Sequence, residues 1–122
     1  KILHHIWLGG ELPPHFQLLR QGWIEKHPGW RCLLWDDATV AAELDSGRID
    51  CRAALERASN VGEKSDILRL HLLLRYGGVY VDVDFACVRS LEPLRASQAG
   101  CVCALSNVGY LELNNGVIGS KA

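Results

Sequence analysis

Two aspartates separated by one valine, Asp82 and Asp84, close a short β-branched run that begins at Val79. Side chains alternate along a strand, so both acids are expected on one face and Val79, Val81 and Val83 on the other. Carboxylates ~6–7 Å apart on a strand repel one another unless a cation, a base or water lies between them. Mg²⁺ and Mn²⁺ bind through one or two carboxylates together with phosphate oxygens, and a sparse pair of hard donors matches that habit. Upstream, Asp66 and Arg69 stand three apart in a leucine-rich run, hence on one helix face. An acid there suits sugar or ribose hydroxyls, and a guanidinium suits hydroxyl or phosphate oxygens. In isolation the pair reads equally as an ordinary helical ion pair. Trp7 precedes Gly9-Gly10, where no side chain would obstruct a ligand, so it fits either base stacking or the core. Trp23, Trp30 and Trp35 are read as core.

The elements needed to hold these residues can be traced along the chain. Ile2–Leu8 reads as a first strand, ended by Gly9-Gly10. Pro13-Pro14 opens a helix over about His15–Lys26, since proline is tolerated in a first helical turn. His27-Pro28-Gly29 marks a turn, and Trp30–Trp35 a second strand. Asp36-Asp37 supplies the N-cap of a short helix through Leu44. Ile49–Ala58 reads as another short helix. Ser65 is placed as the cap of a helix reaching Tyr76, with Ile67, Leu70 and Leu74 packing on the sheet. Gly77 supplies the left-handed residue that stops it. Val79–Asp84 is the third strand; Leu91–Arg95 is too short to assign. Cys101–Leu105 and Asn115–Ser120 read as further strands around an Asn/Gly-containing loop. Strands alternating with helices predict an α/β layer structure with a mostly parallel sheet. In such sheets ligands sit at the carboxyl ends of the strands, where Gly9-Gly10 and the aspartates fall.

Bulk properties narrow the class. At 122 residues the chain supports one core, and 48% hydrophobic with 22% charged residues is ordinary globular composition. A net charge of −1 offers no basic stripe for nucleic acid. No apolar run approaches the roughly 20 residues of a spanning helix. The chain opens at Lys1 inside an apolar segment and contains no Met, so it reads as a piece of a longer protein. Five cysteines lack any CxxC or Cys/His ligand spacing. They are expected as buried, reduced thiols, Cys101 and Cys103 being poorly placed to bridge, which favours a cytoplasmic location. The five histidines show no paired ligand spacing.

The ordered strings Ile-Leu-His-His-Ile-Trp-Leu-Gly-Gly from Ile2, Ser65-Asp66-x-x-Arg69, and Leu74-Arg75-Tyr76-Gly77-Gly78-Val79-Tyr80-Val81-Asp82-Val83-Asp84 resemble the sugar-binding-region glycosyltransferases containing the DxD motif. That family, glycosyltransferase family 32, includes yeast Golgi mannosyltransferases and is related to the clostridial glucosylating toxins. The likeness covers Ile2–Gly10 and about Asn60–Leu94, with weaker similarity over Leu113–Ile118. It implies a GT-A-like fold, a UDP- or GDP-linked sugar donor, Mn²⁺ or Mg²⁺, a glycan or protein acceptor, and retention of configuration. Bacterial polysaccharide assembly is the expected setting, protein glycosylation by an effector the alternative. By motif, Trp7 would stack on the base, Asp66 would meet donor hydroxyls, and Arg69 the sugar or phosphate. Asp82 would bind ribose and sugar hydroxyls with partial metal contact, Asp84 would be the principal metal ligand, and Asn115 would border the sugar pocket. Family members run well beyond this point, so residues 1–122 are expected to form the donor-binding part, without the acceptor side. Two rivals remain: a non-catalytic sugar-nucleotide-binding module, and a nucleotidyltransferase, whose usual Gly-Ser or basic phosphate signature is missing upstream.

Overall fold

The computed structural model describes residues 1–96, 99–107 and 109–121. Its elements run β1 (Ile2–Ile6), α1 (Pro14–Lys26), β2 (Arg31–Trp35), α2 (Asp37–Asp45), α3 (Arg52–Arg57), α4 (Val61–Tyr76), β3 (Gly78–Val81), α5 (Glu92–Ala96), β4 (Cys101–Asn107) and β5 (Leu111–Ser120). The strands form one sheet in the order β2-β1-β3-β5-β4. β1 lies parallel to both β2 and β3, and β5 then pairs antiparallel with β3 and β4. The result is an α/β fold with a mixed sheet, parallel through its first three strands. β4 and β5 pair as a hairpin up to Asn107 and Leu111; Val108, in the Asn/Gly-containing connection, lies outside the described residues.

Two cores follow from strand alternation. Leu3, Val79 and Val81 pack with Trp23 of α1 on one face. Ile6, Trp35 and Tyr80 pack with Val40, Leu68, Leu72 and Leu73 of α2 and α4 on the other. Helix starts are specified locally. Asp36 accepts from the Thr39 amide while the Thr39 hydroxyl caps in return, a reciprocal arrangement that satisfies two orphan donors. Helix α4 begins four residues before Ser65, because Asn60 is its cap, accepting from the Glu63 amide at 2.9 Å. Ser65 is inside the helix, bonded back to the Val61 carbonyl. Asp66 and Arg69 therefore sit in the second and third turns. Gly77 ends the helix with φ +58° as expected.

Two expectations about exposure are corrected. The face of α4 that meets the sheet is Leu68, Leu72 and Leu73, whereas Leu70 and Leu74 are 58% and 80% exposed. Arg69 lies on the same buried face, 6% exposed. Cys101 and Cys103 are exposed rather than buried, with Leu105 between them and the hairpin tip. They lie on β4, the last strand in the sheet order, and their side of it has no helical cover among the described residues.

The join between β1 and β3 is the tightest feature of the sheet. A Cβ on Gly78 would fall 2.5 Å from the Ile2 carbonyl oxygen, so only glycine lets the strands close. Both histidines of β1 reinforce the join through backbone oxygens of β3 and its approach. The His4 Nε2–H donates to the Gly77 carbonyl at 2.8 Å while Nδ1 accepts from the Trp35 indole. The His5 Nδ1–H donates to the Val81 carbonyl at 2.8 Å. Burial pushes both imidazoles below the usual range, His5 to about 4, so both are neutral at pH 7.

Leu72→Ala should lower unfolding free energy by about 2–5 kcal/mol through lost burial and a residual cavity. Leu74→Ala should stay within about 0.5 kcal/mol. Urea unfolding of the two variants checks the helix orientation; equal losses would refute it.

Candidate functional site

β2 and β3 lie on opposite sides of β1, so the strand order reverses at the β1/β3 boundary. In open α/β sheets a crevice forms at that point, outside the carboxyl ends of the strands. The residue after β1 is Trp7 and the residue after β3 is Asp82. A cleft of about 360 Å³ opens there, and Trp7, Phe16, Val61, Arg69, Tyr80, Asp82 and Asp84 are among the residues that line it. A larger hollow of about 510 Å³ lies at the other ends of β1 and β3, bordered by Lys1, Trp30, Gly77 and Lys121. None of the motif acids reaches that hollow.

The acids are not carried on a strand as expected. β3 ends at Val81, and Asp82–Phe85 form a turn closed by the Phe85 amide on the Asp82 carbonyl. The Asp82 amide still bonds to the Gly116 carbonyl of β5 at 2.8 Å, after which the ladder stops. Rigidity comes instead from clamps on both sides of the turn. His5 holds the Val81 carbonyl, and the Trp23 indole N–H donates to the Phe85 carbonyl at 2.7 Å. Within the turn the two carboxylates differ. Asp82 is half-buried, and its Oδ1 accepts from the Tyr80 hydroxyl at 2.5 Å and lies 3.4 Å from Arg69 Nη2. Asp84 is exposed and makes no side-chain hydrogen bond or ion pair among the described residues. Burial pushes the Asp82 carboxyl above the usual range, against the Tyr80 hydrogen bond and the Arg69 charge; the neighbouring Asp84 and Asp66 charges push the same way as burial. Burial, joined by the bond to Asp82, likewise pushes the Tyr80 phenol up.

Arg69 ties the site together. Only 6% exposed, it donates from Nη1 to the Asn115 carbonyl at 2.6 Å and from Nε to the Ser65 carbonyl at 3.3 Å. Its Nη2 lies 2.9 Å from Asp66 Oδ1, and the guanidinium stands 4.5 Å from the Tyr80 ring centroid. Asp66 accepts a second bond, from the Asn115 side-chain amide at 3.1 Å. Trp7 lies across the cleft, half-buried, its indole N–H on the Glu11 carbonyl at 3.1 Å and its ring tilted against Phe16 at 5.4 Å. The Asp37 carboxylate holds the Gly9 amide beside it at 2.8 Å.

The fold thus brings Trp7, Arg69, Asp82 and Asp84 to one cleft, with Asp66 and Asn115 bonded to Arg69. Tyr80, His5 and Gly116 are participants that sequence reasoning did not single out. Tyr80 was accessible from alternation, being two residues before Asp82 and so on its side of the strand. Glycine inside a strand pattern was a legible sign of a bulge at Gly116. Chemically, hard oxygen donors, one free and one fixed, beside an aromatic wall fit a divalent ion shared with a phosphate group.

Comparison with known proteins gives a consistent picture. The family described as "Glycosyltransferase sugar-binding region containing DXD motif" matches residues 13–100, well over half of the chain. A mannosyl phosphorylinositol ceramide synthase of Saccharomyces cerevisiae is 31% identical over 120 residues, which is 98% of this chain and 30% of that protein. Inositol phosphoceramide mannosyltransferase 3 of Schizosaccharomyces pombe is 29% identical over 94 residues, 77% of this chain and 26% of its own length. Subversion of eukaryotic traffic protein A of Legionella pneumophila is 31% identical over 110 residues, 71% of this chain and 17% of its own. The chain therefore spans less than a third of each of these relatives.

The raised Asp82 carboxyl has a stability consequence. The folded state holds the proton more tightly than the unfolded chain, whose value is near 3.8. The associated stability is present below that value and lost as pH rises through the folded pKa. Stability of the wild type relative to Asp82→Asn should therefore fall as pH rises above the ordinary carboxylate range, in thermal melts of both proteins. A difference that rises with pH would contradict the dominance of burial.

Proposed function

Because the chain belongs to the glycosyltransferase family defined by a sugar-binding region containing the DXD motif, we propose that it is the donor-binding part of a metal-dependent glycosyltransferase. The reaction moves a hexose from a nucleoside-diphosphate sugar to an acceptor hydroxyl. The observation that carries this reading is the shared cleft of Trp7, Arg69, Asp82 and Asp84 at the β1/β3 reversal. Retention of configuration rests on the family resemblance, and a cytoplasmic setting on the five unpaired cysteines.

Each residue has a task in this proposal. Trp7 offers a flat apolar face to the base. Asp84, without a side-chain partner among the described residues, and Asp82, fixed by Tyr80 and Arg69, are the carboxylates that would hold Mn²⁺ or Mg²⁺. A cation bound there supplies Lewis-acid neutralisation of charge on a departing diphosphate. Asp66 presents its carboxylate, 55% exposed, toward donor hydroxyls, oriented by Arg69 and Asn115. Arg69 lines the same cleft, and its cation would counter negative charge developing on a diphosphate bound there. Two relatives are named for mannosyl transfer to inositol phosphoceramide, so mannose and a glycolipid hydroxyl stand first, with polysaccharide assembly second. A protein acceptor is favoured only by the effector from Legionella pneumophila.

Calorimetry of UDP- and GDP-sugars with and without Mn²⁺ tests the proposal, and binding that ignores the metal would sink it. Asp84→Asn should abolish Mn²⁺-dependent donor hydrolysis in the full-length protein with unfolding unchanged; retained turnover would exclude the metal role. Trp7→Ala should weaken nucleotide affinity by about tenfold, consistent with loss of ~1–3 kcal/mol of stacking. Its thermal midpoint should move little by comparison, and an unaltered affinity would remove Trp7 from the base site.

A further inference from the structure

β5 contains an irregularity that the donor-site reading does not use. Cys103 of β4 pairs with Ile118, and the next residue, Ala104, pairs with Asn114. One step on β4 is thus matched by four on β5, leaving Asn115, Gly116 and Val117 without β4 partners. Bulges of this kind bend a strand and re-aim what it carries, often beside active sites. Here Val117 and Gly116 turn to β3 and the turn after it, and Asn115 to α4. Val117 pairs with Val81, the Gly116 carbonyl takes the Asp82 amide, and the Asn115 carbonyl takes Arg69 Nη1.

Gly116 shows what the bulge makes room for. Its φ lies outside the left-handed region, so conformation does not demand glycine there. Space favours it: a Cβ would fall 2.8 Å from Asp82 Oδ2 and equally close to Asn114 Oδ1 and Phe85 Cε2, so those side chains would have to move. The Asp82 carboxylate is therefore bounded on one oxygen by Tyr80 and Arg69 and on the other by the bare Gly116 backbone. The Gly116 amide is itself tied to Asn114 Oδ1 at 2.7 Å, which fixes the floor of this seat.

We propose that the Asn115–Val117 bulge is a positioning element: it seats the Asp82 carboxylate against Gly116 and locks Arg69 through the Asn115 carbonyl before any ligand binds. Its functional meaning rests on the donor-site reading above, because Asp82 there helps hold the cation. Partners that orient a metal-binding carboxylate typically change metal affinity by about 10–100-fold when altered. The bulge is expected to act on that scale through Asp82 and Arg69.

The test uses Gly116→Ala in the full chain, with two measurements. The first is hydrogen exchange of the Arg69 Nε–H followed by NMR in unliganded protein. This proton should be protected in the wild type and exchange about tenfold or more faster in the variant as the clamp loosens. The second is Mn²⁺ titration with UDP or GDP, where affinity should drop by about tenfold or more. Binding of the nucleoside without metal should be unchanged. A merely structural glycine would lower the thermal midpoint and leave both readouts at wild-type values in the folded protein, and that result overturns the proposal. Should Gly116→Ala not fold, Asn114→Ala takes its place, removing the side-chain oxygen that ties the Gly116 amide and so loosening the bulge. It should speed Arg69 exchange by about threefold, and unchanged exchange counts against the bulge. A wild type that binds no nucleotide with Mn²⁺ defeats the donor-site reading, while the exchange experiment still decides the positioning role.

Discussion

A guanidinium buried between a helix and a sheet loses most of its hydration, a penalty of several kcal/mol unless its donors are met. Arg69 meets that condition through two backbone carbonyls, two carboxylates and the face of Tyr80. The contacts come from four separate pieces of chain: α4, the β3 strand, the turn after it, and the β5 bulge. Satisfying one side chain therefore fixes the relative placement of all four. The Asp66 contact is largely solvent-exposed and correspondingly screened, so the carbonyl of Asn115 and the half-buried Asp82 carry most of the anchoring. Removing the cation would leave Asp82 and the Asn115 carbonyl short of a donor, a larger loss than any surface ion pair represents.

The same constraint explains the unequal acids. Asp82 has a cation and a hydroxyl beside it and still titrates above the ordinary carboxylate range, because burial outweighs both. A carboxylate whose charge the protein under-compensates gains when a further positive charge arrives. Asp84, two residues on, is exposed and has no side-chain partner among the described residues, so its carboxylate is open to whatever occupies the cleft. One acid is thus part of the wall and the other part of the opening. Nothing comparable holds for the larger hollow at the opposite end of the sheet, where no motif acid is present.

Local signals were readable wherever they were backbone chemistry. The Pro13-Pro14 helix start, the Asp36 cap and the Gly77 stop all stand where short-range rules put them. The acids and Trp7 were readable as chemistry, and the reversal of strand order brings them together. What escaped was tertiary in origin. Val61-Gly62-Glu63-Lys64 has no apolar period, so the first turn of α4 is visible only through the Asn60 cap. The run Leu68, Leu70, Leu72, Leu73, Leu74 offers leucines on every side, and the buried face is the one that includes Arg69, a charged residue that periodicity assigns to solvent. Cys101 and Cys103 look like core residues by type, yet their side of β4 has no helix over it among the described residues.

The bulge also shows why the Asp-x-Asp pattern alone is a weak signal and its surroundings a strong one. On a regular strand the two acids would share a face and repel at fixed spacing, and nothing would distinguish them. Ending β3 at Val81 releases that symmetry. Asp82 keeps one last ladder bond, to Gly116, and so inherits the rigidity of the sheet. Asp84 falls beyond it and inherits the freedom of a turn whose ends are pinned by His5 and Trp23. The β5 irregularity extends that last bond by carrying the strand away from β4 at the point where β3 stops. A regular β5 would have continued along β4, leaving Arg69 without the Asn115 carbonyl and the turn without its floor. Strand termination, bulge and buried cation are thus three aspects of one packing solution, and the inequality of the two carboxylates is what it produces.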